Sequence, residues 1–247
     1  DEEYMKSFLD IVRQCYARRQ RFIPFVFLCA PSGSGKSVFG TNLGKVIPSL
    51  HWLFKDSSTL QEYYLPFTKI SRIIGVALES DIDRYKSVLK VKRGLRLSEK
   101  STTARHIERY AMEIKFEFVH LIVTLFEAIF AIKGPDNADV SWLDSQFEIE
   151  SIPKGQMSLE SGKKRLETLV LQRNSALKSQ GHQPIPPLSV FIDECNLSGT
   201  DARLHPPSEE DSRQLHFICS VLRLLRIVPM FTGTDARAIN VCAREYN

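Results

Sequence analysis

"FLCAPSGSGKSVFGTNL", residues 27–43, runs from an apolar approach through a turn of glycine and serine to a lysine, then into a helical pattern. The turn fits a phosphate-binding loop written A-x-x-x-x-G-K-S: Ala30, then Pro31, Ser32, Gly33 and Ser34, then Gly35, Lys36 and Ser37, with a helix from about Ser37 and Val38 as the last nucleotide-binding candidate. This chemistry needs successive backbone N–H groups curved around an anion, a helix N-terminus aimed at the same place, and a cation. Gly33 and Gly35 permit such a backbone, Lys36 can reach the β and γ phosphates, and the Ser37 hydroxyl can hold Mg²⁺. Ala30 stands where the pattern usually has glycine, at the strand exit and away from the anion, so the change is tolerable if its φ is negative. A plain glycine-serine surface turn would leave Lys36 unexplained.

The flanks supply the context that the loop requires. "FIPFVFLCA", 22–30, is a continuous apolar run and predicts a parallel strand buried on both faces. A helix follows to about Val46, and "SLHWLF", 49–54, reads as the next strand, making a βαβ unit whose loop sits where α/β sheets bind ligands. Further on, "VFIDE", 190–194, is an apolar strand ending in two acids. Asp193 is placed to orient Mg²⁺ through water, and Glu194 to accept a proton from the attacking water. A helix is expected over 208–226, with a capping box in Ser208 and Asp211, and then a third apolar strand, "IVPMFTGT". At its end Thr234 is the first candidate for a polar group near the γ-phosphate, followed by Thr232 and Asp235. Arg237, and more weakly Arg203, are candidates for stabilising phosphate charge, with a surface salt bridge as the plainer role for either.

The remaining segments carry less chemistry. Residues 3–20 have helical apolar spacing, and "RRQR", 18–21, places cations at that helix's end. Residues 59–82 read as helix in pieces, broken at Pro66. The basic stretch "RYKSVLKVKRGLRLSEK", 84–100, fits a solvated or partner-facing surface or, as the alternative, contact with nucleic acid. Residues 101–133 predict one long helix, apolar in its second half and so buried or at an interface, with His106 and His120 as core or surface groups. Residues 134–157 read as loop with a short strand at "FEIES", and 159–180 as helix. Strands alternating with helices imply a doubly wound parallel sheet. The expected architecture is α/β, a P-loop NTPase three-layer αβα sandwich over residues 22–247. Residues 1–21 form an N-terminal helix, and 55–185 a helical insertion or elaboration of the sandwich.

Composition sets the outer bounds. With 247 residues and 43% apolar content the chain can build a full core, and a formal charge of +4 is too mild to argue nucleic-acid binding by itself. No run approaches the roughly 18 apolar residues that span a bilayer, so a soluble chain with no membrane role is expected. The first residue is Asp1, and "DEEYMKSFLD" lacks the regions of a signal peptide, so a fragment is expected, and with it the loss of any targeting signal. Five cysteines, Cys15, Cys29, Cys195, Cys219 and Cys242, show no metal-binding spacing. They read as reduced thiols in an intracellular setting, cytoplasm or nucleus, with Cys29 and Cys195 as small apolar groups at buried strand ends.

The order of loop strand, "FIDE" strand, helix and "TGTDAR" strand resembles the additional-strand P-loop ATPases, the AAA+ and STAND group. The resemblance covers about 22–54 and 186–240. It implies that Lys36 and Ser37 bind phosphate and Mg²⁺, that Asp193 assists the metal, that Glu194 is the hydrolytic base and that Thr234 occupies the sensor position. The group's helical lid finds no counterpart in the sequence. More narrowly, "RFIPFVFLCAPSGSGKS" with "LRIVPMFTGTDARAIN" looks like the ATPase regions of Crinkler-type effectors, which implies an attached effector domain and delivery into a host cell. The expected activity is Mg²⁺-dependent ATP hydrolysis that switches a protein partner, a neighbouring domain or a second copy of the chain. A P-loop kinase and a nucleotide-binding module without turnover are the alternatives.

Overall fold

The computed structural model describes residues 2–17, 26–29, 31, 33–54, 65–94, 112–134, 141–181, 184–185, 187–193 and 209–233. In chain order its elements are α1 (Glu2–Ala17), β1 (Val26–Cys29), α2 (Lys36–Val46), β2 (Ser49–Leu53), α3 (Leu65–Gly94), β3 (Lys115–Phe116), α4 (Glu117–Lys133), α5 (Trp142–Phe147), β4 (Met157–Ser158), α6 (Leu159–Ser179), β5 (Ser189–Asp193), α7 (Glu209–Leu224) and β6 (Val228–Gly233).

The apolar runs around the loop pair into one parallel sheet in the order β1-β6-β5-β2. Because side chains alternate across a strand, each run serves both faces. Val190, Ile192 and Phe231 join Leu50 and Trp52 in a core with α3, α4 and α7. Phe191, Val228 and Met230 face the other way and pack with Leu43 and Ile47 of α2 and Phe8, Leu9 and Val12 of α1. The result is an α/β fold with a parallel central sheet and helices on both faces, compatible with a three-layer sandwich. The remaining strands, β3 and β4, form a separate antiparallel pair. Each large apolar side chain removed from water contributes about 1.5–3 kcal/mol, and α4 offers Phe118, Ile122, Leu125, Phe126 and Ile129, all fully buried.

The outer edge of β2 is closed by side chains. Gln146 of α5 accepts from the His51 amide at 2.8 Å and donates to the His51 carbonyl at 2.7 Å, so one amide stands in for a neighbouring strand. Ser71 of α3 accepts from the Leu53 amide at 2.9 Å. These contacts satisfy backbone groups that an edge strand would otherwise expose.

Several expectations are corrected. β1 is half-buried rather than buried on both faces, and Cys29 is exposed, because among the described residues β1 pairs on one side only. Residues 59–64 lie outside the described residues, and from Leu65 onward the helix runs unbroken through Pro66. The proline sits in the first turn of α3, where a missing N–H costs nothing and its fixed φ suits the helix. The basic stretch begins on α3, where Arg84 donates to the Lys115 carbonyl at 3.2 Å; 95–100 lies outside the described residues.

The long helix expected over 101–133 is interrupted at its middle. Phe116 is extended, at φ −121 and ψ 143, because Lys115 and Phe116 pair with Ser158 and Met157. The helix begins again at Glu117, where Asp81 of α3 accepts from the Phe118 amide at 2.7 Å and so caps α4 from another element. The segment 101–111 and His106 lie outside the described residues, while His120 donates to the Pro153 carbonyl at 3.0 Å, a structural role. "FEIES" is not a strand: Ser141 caps α5 by accepting from the Asp144 amide, and the helix carries through Phe147. Among the described residues no helix is long and apolar enough to cross a membrane.

Candidate functional site

The loop between β1 and α2 is built on two left-handed glycines. Gly33 has φ 78 and Gly35 φ 85, a region that other residues enter only with strain. Gly35 is also the residue from which α2 starts, and its carbonyl accepts from the Phe39 amide at 2.9 Å. Within the turn the Pro31 carbonyl accepts from the Ser34 amide at 3.3 Å and from Lys36 Nζ at 2.7 Å. Lys36 also reaches Ser34 Oγ at 3.4 Å, so its ammonium lies folded over its own loop. Pro31, Gly33, Ser34, Gly35 and Val38 are exposed, and Lys36 and Ser37 are partly so.

Beneath this loop the sheet supplies a buried carboxylate. Asp193, the last residue of β5, is 1% exposed. The Thr232 hydroxyl of β6 donates to its Oδ1. His51 Nε2 of β2 stands 3.6 Å from its Oδ2, beyond ordinary hydrogen-bond length, so that contact is mainly one of dipole and charge. Burial alone would raise the Asp193 carboxyl, yet the His51 imidazole, the Thr232 hydroxyl and the Ser37 hydroxyl outweigh it and hold the group below its ordinary value. Asp193 is therefore ionised at neutral pH. Burial lowers the His51 imidazole against the opposing pull of Asp193, which leaves the ring neutral there.

Three elements far apart in sequence thus converge on one carboxylate: Ser37 from α2, Thr232 from β6 and His51 from β2. Close approach of α2 to the sheet depends on Gly40, where any Cβ would overlap the Phe191 ring. Among the described residues no three His, Cys, Asp or Glu side chains gather as a metal cluster. Mg²⁺ shared with phosphates and water asks for only one or two protein oxygens. Ser37 and Asp193 provide such a hard, adjacent oxygen pair, so the residues fit that ion.

Of the sequence candidates, Pro31, Gly33, Ser34, Gly35, Lys36, Ser37 and Val38 share the loop and the helix start, and Asp193 lies under Ser37. Ser32, Glu194, Thr234 and Arg237 lie outside the described residues, as do Ala30, Arg203, Asp235 and Cys195. Thr232, the second choice after Thr234, is fully buried and spends its hydroxyl on Asp193. His51 was not anticipated. The one trace of it in the sequence is a histidine inside the otherwise apolar "SLHWLF", which becomes informative only once β2 is known to lie beside β5. A shallow groove between α4 and α6, at the Glu127–Arg165 ion pair, contains none of these residues. No protein-family model matches the chain, and no curated protein matches it in sequence.

Proposed function

We propose that the chain binds and hydrolyses ATP with Mg²⁺, and that the site is a P-loop of the additional-strand kind. The observation that carries this reading is the buried, ionised Asp193 at the end of β5, bound by Thr232 of β6 and held below its ordinary value in part by the Ser37 hydroxyl of the glycine loop's helix. A surface turn would have no reason to meet an ionised acid at a sheet end. The strand order adds support, since β6 is interposed between the loop strand β1 and the acidic strand β5.

In this mechanism Gly33 and Gly35 curve the loop around the phosphates, and the start of α2 presents its positive dipole end to them. Lys36 exchanges the Pro31 carbonyl for phosphate oxygens, an ammonium-to-anion contact stronger than the neutral one it leaves. Ser37 and Asp193 would hold Mg²⁺, and the low-lying carboxyl of Asp193 keeps its charge available for that purpose. When bound, Mg²⁺ neutralises charge that builds on the β and γ phosphates. Glu194, the next residue along, takes the proton from the attacking water. Turnover then switches a protein partner, a neighbouring domain or a second copy of the chain, and nucleic acid at 84–100 belongs to the same set of proposed partners.

Phosphate release by the wild type, Lys36→Ala and Glu194→Gln tests the reading. Lys36→Ala should abolish nucleotide binding, and Glu194→Gln should keep binding while stopping release. Hydrolysis by Glu194→Gln at the wild-type rate would remove Glu194 as the base, and a wild type that binds without turnover would leave a binding module.

A further inference from the structure

Asp193 offers two oxygens, and a different neighbouring strand addresses each of them. Thr232 of β6 donates to Oδ1, and His51 of β2 approaches Oδ2 at 3.6 Å. The terminal torsion of an aspartate is broad and roughly two-fold, so the Thr232 hydroxyl on Oδ1 and the nearby Ser37 hydroxyl leave room for a third group at Oδ2 to bias it. A ring dipole at Oδ2, from the strand on the opposite side to β6, favours one orientation of that plane. We propose that His51 is a positioning residue that sets the Asp193 carboxylate for the metal it shares with Ser37; this rests on the nucleotide reading above.

His51 is itself held with little freedom. Its ring stacks on Phe67 with centroids 4.1 Å apart and 25° between planes, and it meets Phe191 at 4.9 Å. Its backbone amide and carbonyl are both taken by Gln146. Neither ring nitrogen has a partner within hydrogen-bond distance among the described residues, Nε2 standing 3.6 Å from Asp193 Oδ2, and the side chain is 1% exposed. Burying a polar ring with an unsatisfied nitrogen is unfavourable by comparison with a phenyl ring of similar shape. Packing between Phe67 and Phe191 would be served as well by phenylalanine, so what the imidazole adds is Nε2 toward Asp193. For Nε2 to act on a carboxylate it must carry the proton, which assigns the tautomer.

The test pairs two variants with a spectroscopic readout. His51→Phe keeps the stack and loses the N–H, whereas His51→Gln places an amide N–H near the Nε2 position. His51→Phe should raise the Mg²⁺ concentration for half-maximal ATP hydrolysis roughly tenfold or more, with KM for ATP at saturating Mg²⁺ little changed, and His51→Gln should recover most of the loss. Wild-type Mg²⁺ dependence in a folded His51→Phe overturns the proposal. Independently of activity, ¹⁵N–¹H spectra of the histidine rings should show His51 protonated on Nε2 and its signal displaced by Asp193→Asn. A proton on Nδ1, or a signal indifferent to Asp193→Asn, overturns the proposal even where His51→Phe fails to fold. A wild type that binds no ATP overturns the nucleotide reading instead, and a displaced ring signal then leaves the pairing of His51 with Asp193 standing.

Discussion

On one face of the central sheet, Val190, Ile192 and Phe231 meet the hydrocarbon of α3, α4 and α7. On the other, toward the strand ends, Thr232 donates to Asp193, which also has Ser37 of α2 and His51 of β2 near it. The period of two along a strand makes this division available to a five-residue segment such as β5. The difference teaches that one face of these strands is wholly core, while the other combines core residues with the polar groups at the strand ends. Substitutions on the first face should therefore act on folding alone, whereas on the second, where Phe191, Val228 and Met230 also pack, only those at the strand ends should act on the proposed nucleotide and metal.

The sharpest break of that comparison would be at Phe126, fully buried in the large core. Phe126→Ala should destabilise by about 3–5 kcal/mol, read from the shift in a urea unfolding midpoint, with nucleotide affinity of the folded fraction unchanged. A selective loss of affinity would show the two faces to be coupled. Gly40→Ala lies on the other face and tests its closeness of packing. The added methyl overlaps Phe191, so it should cost about 2 kcal/mol by the same unfolding measurement despite the better helix propensity of alanine. A stabilised variant would mean that α2 can withdraw from the sheet freely.

The smallest expected effect is at Asp81, a fully buried acid on the hydrocarbon side. Burial pushes its carboxyl above the ordinary 3.8, against hydrogen bonds from the Phe118 and Glu117 amides. A group that binds its proton more tightly folded than unfolded loses stability for the native state as pH rises through that window. Asp81→Ala, which leaves the Phe118 amide without its acceptor, should destabilise by about 1 kcal/mol. Asp81→Asn keeps an acceptor and carries no charge, so its unfolding free energy should lack the decline that the wild type shows on leaving the acid range. Identical pH profiles for wild type and Asp81→Asn would contradict this.

The parts legible in the sequence are those whose cause is local. The loop at 31–37 declares itself through Gly33, Gly35 and Lys36, and β5 and β6 through apolar runs bounded by polar turns. The misread parts have distant causes. Phe116 lies in a stretch without glycine or proline and would continue a helix, but pairing with Met157 and capping by Asp81 impose a strand and a fresh start. "FEIES" has the composition of a strand, yet Gln146 beside it is spent on the edge of β2, ninety-five residues away in sequence. His51 needed the strand order β5-β2 before its place could be seen, since nothing in its own neighbours distinguishes a packed histidine from one aimed at a carboxylate.

The central claim is that Ser37 and Asp193 form the metal end of a nucleotide site. Calorimetric titration of ATP into wild type and Asp193→Asn, each with and without Mg²⁺, tests it most directly. The account predicts that Mg²⁺ tightens ATP binding to the wild type and that Asp193→Asn loses that increment, roughly tenfold or more, while retaining Mg²⁺-free binding. A wild type that takes up no ATP, or an Asp193→Asn variant with the full Mg²⁺ increment, would contradict it.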